Sequence, residues 1–189
     1  MNGSLMAKVG RLAARGVKVG MLVIDEPVSA DREDTLAVPA HIRAMQTLLV
    51  FGVREGLPVW LIELSPGEVH APSSRTMVRL RGLLPTSTPA VLKKRFNAFE
   101  GTNLLALLQA AQVTTHLVVM GHEVNCCVKQ TVLGGKYKPN TPFEFGAIDL
   151  HYKVLTSDHV LSINGAPKGP NGTKADWADH VDIRYYARL

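Results

Sequence analysis

Five short stretches of this chain are apolar almost without a break, and they limit its fold more than any other feature. They are Val17–Asp25 (VKVGMLVID), Pro58–Leu64 (PVWLIEL), Ala90–Leu92, Thr115–Gly121 and Lys153–Ser157. A strand with one wet face alternates apolar and polar residues, whereas a strand covered on both faces need not. The segments between them read differently. Pro39–Glu55 carries Ile42, Met45, Leu48, Leu49 and Val53 at helical spacing and closes at Gly56. Thr102 can cap a helix running through Leu104, Leu105, Leu108 and Ala111. Ser73–Leu84 is expected to hold a short helix and Asp182–Ala187 a last strand. Pro66–Pro72, Gly134–Gly146 and Asn164–Gly172 read as loops. Strands alternating with helices predict an α/β, Rossmann-like three-layer sandwich, with a mostly parallel sheet of about six strands and helices on both faces. With no internal repeat and no linker, residues 1–189 are expected to form one domain that begins with a basic leader or helix over 1–16.

Composition removes several function classes. No apolar run is long enough to span a bilayer, so no membrane partner is expected. Met1–Lys18 carries Lys8, Arg11, Arg15 and Lys18 and no acid, but lacks the apolar core of a secretory signal. The net charge of +5 invites a nucleic-acid reading. The basic residues are scattered, however, and the densest group, Lys93-Lys94-Arg95, adjoins an apolar strand; no nucleic-acid partner is expected. The charge points instead to a mild preference for anionic small molecules. The two cysteines, Cys126 and Cys127, are adjacent, and a bridge between neighbours is strained. This suits a reducing, cytoplasmic setting, in which the Asn171-Gly-Thr173 sequon carries no weight.

In parallel sheets covered by helices, function collects at the carboxyl ends of the strands. Asp25, Glu63, Lys93 and Gly121 stand at or just past such ends. Both cysteines lie in Gly121-His-Glu-Val-Asn-Cys-Cys-Val-Lys-Gln-Thr131, where a strand hands over to a helix whose amino-terminal field favours thiolate. Taken singly, Asp25 reads as a cap, Lys93 as a solvated lysine and Cys127 as a small buried apolar residue. Brought to one sheet edge they form a working set for acyl transfer. The thiol supplies the nucleophile, the carboxylate accepts its proton and later protonates a leaving group, and the ammonium keeps the carboxylate ionised. Backbone N–H groups at the helix start can hold an oxyanion.

These motifs resemble those of the isochorismatase-like cysteine hydrolases, a family that includes nicotinamidases, N-carbamoylsarcosine amidohydrolases, ureidoacrylate hydrolases and isochorismatases. The resemblance rests on Val23-Ile-Asp25, on Lys93-Lys-Arg-Phe-Asn-Ala-Phe99-Glu-Gly-Thr102-Asn-Leu104, and on Gly121 followed by Cys127-Val128 and Thr131. It spans roughly residues 17 to 160. It implies that Lys93 rather than Lys94, and Cys127 rather than Cys126, are the catalytic residues beside Asp25. It further implies an oxyanion hole from the amides of Glu123 and Cys127, a cis peptide near His122-Glu123, and oligomers such as dimers or tetramers. Pro27, Phe99 and His122 become candidates for the substrate pocket.

The departures concern specificity. Pro27 stands where the family usually has Gln, which leaves the loop from Pro27 to Leu36 unusual, and Asn97 stands where Ser is common. The nicotinamidase metal set is replaced by Glu63-Leu-Ser-Pro-Gly-Glu-Val-His70, so no metal and no cofactor is expected. Gly134–Gly146 reads as an insertion, either a lid or oligomer contact or a plain surface loop. The expected activity is hydrolysis of a small amide, carbamoyl or related acyl substrate through a thioester on Cys127. The alternatives are an isochorismatase-type vinyl-ether hydrolase, which needs the acid but no thiol, and a weakly active or inactive member that binds a metabolite or a protein.

Overall fold

A computed structural model of the chain describes residues 4–26, 40–65, 76–136, 142–163, 166–167, 176–186 and 188–189. The expected strands form close to where the apolar runs put them: β1 (Val19–Ile24), β2 (Val59–Leu64), β3 (Ala90–Lys93), β4 (His116–His122), β7 (Lys153–Ser157) and β10 (Ile183–Tyr186). They lie side by side in the order β10-β7-β4-β1-β2-β3, and every pairing along that path is parallel. β8 (Leu161–Ile163) branches off and pairs parallel with the end of β4, and β9 (Ala166–Pro167) pairs antiparallel with β8. Among the described residues the sheet therefore has eight strands, and the two beyond the main path are too short, at three and two residues, to stand out in the sequence.

The uninterrupted strands are explained by two cores. Leu22 and Ile24 of β1 face one side with Ile62, Val119, Leu104 and Leu108. Met21 and Val23 face the other with Ile42, Met45, Leu48 and Leu49. Alternate side chains thus enter different apolar layers. Helices α1 (Leu5–Ala13) and α2 (Ala40–Arg54) cover the second side, while α4 (Leu104–Ala110) covers the first. The short helix expected over Ser73–Leu84 is α3 (Val78–Arg81). The basic amino-terminal segment is helical rather than a loose leader. Ser4 caps it by accepting from the Ala7 amide, and Leu5, Val9 and Leu12 are buried. Its free first amides, those of Leu5 and Met6, donate to the carbonyls of Arg188 and Leu189, joining the two ends of the described chain.

Gly134–Gly146 differs from the expected irregular loop. Gly134–Lys136 (β5) and Phe143–Phe145 (β6) pair antiparallel, with 137–141 outside the described residues. Gly134 has φ of 68°, and a Cβ there would lie 2.3 Å from the Glu144 carbonyl oxygen, so only glycine fits. The alternation of Phe143-Glu-Phe145 is inverted relative to an ordinary strand: both phenylalanines are exposed and Glu144 is buried. Arg95 meets Glu144 at 3.0 Å, and the Asn97 side-chain amide donates to the Phe145 carbonyl at 3.0 Å. The hairpin is thereby tied to the loop that follows Lys93. Arg95→Ala strands a buried carboxylate, although the half-exposed guanidinium limits the cost to roughly 1 kcal/mol. Amide exchange over Gly134–Lys136 and Phe143–Phe145 is expected to quicken about tenfold, with exchange in β1 and β4 unchanged.

Candidate active site

The strand order reverses direction between β1 and β4, the point where doubly wound sheets open a crevice at their carboxyl edge. Asp25 directly follows β1, His122 ends β4, and Lys93 ends β3. The two central strands are in register as Ile24 opposite Gly121. Gly121 has φ of 133°, and a Cβ on it would sit 2.0 Å from the Ile24 carbonyl oxygen. That glycine lets the two strand ends close to the distance the site needs.

Asp25 and Lys93 form a buried ion pair, Nζ to Oδ2 at 2.6 Å, with the lysine fully buried and the aspartate nearly so. The Lys93 ammonium also donates to the Arg95 carbonyl at 3.0 Å. Taken alone, Lys93 reads as a solvated residue; burial beside a carboxylate reverses that, since a lysine is held in a core only when paired. Asp25 has φ of 44°, a left-handed conformation uncommon outside glycine that turns the chain at the strand end. Burial pushes the Asp25 carboxyl above its ordinary range, opposed by the Lys93 charge, by contacts with Cys127 and Lys93, and by His122.

The Cys127 thiol lies against the same carboxylate and is almost fully buried. After the cis His122-Glu123 peptide, Val124–Val128 form a π-helical turn that runs directly into α5 (Lys129–Leu133). The Cys126 and Val128 amides both donate to the Glu123 carbonyl, so the turn wraps around the nucleophile position. The surroundings of the thiol oppose the thiolate that the helix field alone would favour. Its hydrogen bond with Cys126, its burial and the nearby Asp25 charge all push its pKa up, against the pull of Lys93. The site therefore sets a buried lysine–carboxylate pair beside a thiol whose ionisation its surroundings oppose.

Other residues of the sequence motifs make contacts that hold the surrounding loops and helices. The Thr131 hydroxyl accepts from the Ala98 amide at 3.0 Å, pinning the loop after Lys93 to the Cys127 helix. Thr102 donates to the Ala98 carbonyl and accepts from the Leu104 amide at the start of α4. Asn97 accepts from the Phe99 amide while its own amide holds the hairpin, a reach that serine lacks. Phe99 stacks on Tyr152 with centroids 6.4 Å apart. Glu63 is engaged by the Thr76 amide and by Arg81 at 2.5 Å. His70, Pro27 and the loop from Pro27 to Leu36 lie outside the described residues. Among the described residues, no three His, Cys, Asp or Glu side chains gather as a metal site would require.

Residues that the sequence reading did not single out lie just behind this cluster. Glu26 is buried next to Asp25, 4.0 Å from the buried His41, and Ser162 of β8 touches both Glu26 and His122. A buried acid directly after the strand-end aspartate was the one available signal. A cavity of about 370 Å³ lined by Trp60, Pro58 and Pro89 opens at the amino ends of β2 and β3, on the opposite edge from Asp25.

The arrangement can be set against known proteins. Residues 54–138 match the family model of the isochorismatase domain. No curated protein matches the chain in sequence. Among solved structures, N-carbamoylsarcosine amidase from Thermoplasma acidophilum is similar with a TM-score of 0.65 at 18% identity, over 90% of this chain and 96% of that one. An isochorismatase from Pseudomonas putida gives 0.59 at 16% identity, over 86% and 81%. Nicotinamidase from Bacillus subtilis gives 0.58 at 16% identity, over 78% and 87%. At these identities the likeness is one of fold.

Proposed function

We propose that this chain is an isochorismatase-like hydrolase that cleaves a small amide, carbamoyl or related acyl compound through a thioester on Cys127. The observation that carries the reading is the convergence of three distant residues: the Lys93–Asp25 pair at 2.6 Å with the Cys127 thiol against the same carboxylate. Cys127 Sγ attacks the substrate carbonyl carbon as its proton passes to Asp25. The oxyanion is held by the amides of Glu123 and Cys127. The carbon–leaving-group bond then breaks, and Asp25 returns the proton to the departing amine. Water, giving a proton to Asp25, attacks the thioester; Cys127 leaves and recovers that proton. Lys93 holds Asp25 charged while the base is needed.

A raised Asp25 pKa makes it a stronger acceptor for a thiol whose own pKa is pushed up. Asp25 must be ionised to act, so kcat/KM is expected to fall as pH drops through its raised pKa. The acid limb of the profile should therefore lie above the ordinary carboxylate range of about 4, and a limb at or below that value would contradict the role given to Asp25.

The test of function is a screen of small primary amides and N-carbamoyl compounds for released ammonia or amine, before and after alkylation with iodoacetamide. Turnover that disappears as Cys127 is modified supports the reading. Turnover of these compounds untouched by complete modification of Cys127 would remove the thioester from the mechanism, and modification confined to Cys126 with loss of turnover would move the nucleophile to that residue. A small-molecule substrate, a homo-oligomeric assembly, a cytoplasmic setting and an organisation as one domain over 1–189 belong to the same proposal.

A further inference from the structure

A buried row of polar side chains runs behind the site and has no part in the steps above. Ser162 is fully buried on β8, the strand that branches from the sheet to pair with the end of β4, where Ser162 stands opposite His122. Its hydroxyl donates to Glu26 Oε1 at 3.4 Å and lies 3.1 Å from His122 Nδ1. Glu26 directly follows the proposed base Asp25, and its other oxygen is 4.0 Å from Nε2 of buried His41. His122 directly precedes Glu123, whose amide is one proposed oxyanion donor, and its Nε2 is 3.8 Å from Glu123 Oε2.

A hydroxyl has a single proton, and an ionised carboxylate can only accept. Once Ser162 has given its proton to Glu26, it can meet His122 only as an acceptor. With Glu26 ionised and accepting from Ser162, the hydrogen of the neutral imidazole falls on Nδ1, the tautomer that a free imidazole disfavours. The other ring nitrogen is left as the acceptor, and a second proton there would face the Glu123 carboxylate. The ring meets Ser162 of β8, and the His122 backbone pairs with the same residue, so both are held from that strand.

We propose that Ser162 is a positioning residue: through its hydrogen bonds to Glu26 and His122 it locks His122 as the Nδ1–H tautomer and so aims the Glu123 amide into the oxyanion hole. The functional half of this statement rests on the cysteine-hydrolase reading, because that amide matters to rate only if an oxyanion forms there.

The test is nitrogen-15 NMR of histidine-labelled protein, with His122 assigned from the signal lost in His122→Gln, together with kinetics of the same variants. In the unmodified protein the neutral His122 ring is expected to carry its hydrogen on Nδ1. Ser162→Ala should move it to Nε2 and lower kcat about tenfold with KM within about twofold. Iodoacetamide should label Cys127 at an unchanged rate. Glu26→Gln keeps the shape but can itself donate to Ser162 or leave Ser162 free to donate to the ring. It should weaken the lock in the same direction, and it decides the matter if Ser162→Ala fails to fold. An Nε2–H ring in the unmodified protein, or a shifted tautomer with unchanged kcat, overturns the proposal. Loss of the cysteine-hydrolase reading would show separately, as turnover that survives alkylation of Cys127 while the Nδ1–H tautomer is still observed.

Discussion

Cys127→Ala is expected to cut turnover by about 10⁴-fold or more while leaving the fold intact. The size follows from the chemistry: the residue is the atom that bonds to the substrate, and its neighbours act only through it. What remains after its removal is the binding pocket and the oxyanion donors, which alone give modest acceleration. The stability cost should be small, about 1 kcal/mol, because the side chain lost is one sulfur in a packed layer. Steady-state kinetics and a thermal melt on the same preparation check both parts. A variant that melts near the parent temperature and still turns over at the parent rate would remove Cys127 from the mechanism.

Lys93→Met carries the second large effect. Methionine nearly fills the space but deletes the cation that meets Asp25 at 2.6 Å. A buried carboxylate without its partner would cost about 3–5 kcal/mol if it stayed charged. Asp25 has an easier course, which is to take up a proton, and burial has already raised its pKa. The sign follows directly. Lys93 lowers the Asp25 pKa, so its removal raises it further, and at pH 7 less of the base is ionised. Turnover at pH 7 is expected to fall by about 10²- to 10⁴-fold, with the acid limb of kcat/KM displaced to higher pH and part of the rate recovered there. The loss of stability should stay below the cost of a stranded charge. A reduced rate with an unmoved limb would mean that Lys93 acts by some route other than the ionisation of Asp25.

Much of this was legible because the relevant signals are local. The runs that became β1, β2 and β4 are apolar on both faces, so no alternation confused them with half-buried strands. Asp25 and Lys93 could be placed on one edge of a parallel sheet by the strand-end rule before any contact was known. The hairpin was missed because its pattern is inverted, with Glu144 inside and Phe143 and Phe145 outside; the reason lies in Arg95, far away in sequence. Ser162 and Glu26 were missed for a similar reason: they meet across a separation of 136 residues, and β8, three residues long, is too short to announce itself. The resting charge of the site was also beyond the sequence. A helix start argues for thiolate, yet the neighbouring Cys126 thiol, burial and the Asp25 charge all push the Cys127 pKa up.

The central claim is that a covalent bond forms between Cys127 and the acyl part of the substrate. Intact-protein mass spectrometry after rapid acid quench of turnover tests it directly, with the adduct located by peptide mapping. A mass increase equal to the acyl group, located on Cys127, absent from Cys127→Ala and lost on treatment with hydroxylamine, is the result expected. Turnover on the same substrate with no adduct at any quench time, and with undiminished rate in Cys127→Ala, would contradict it.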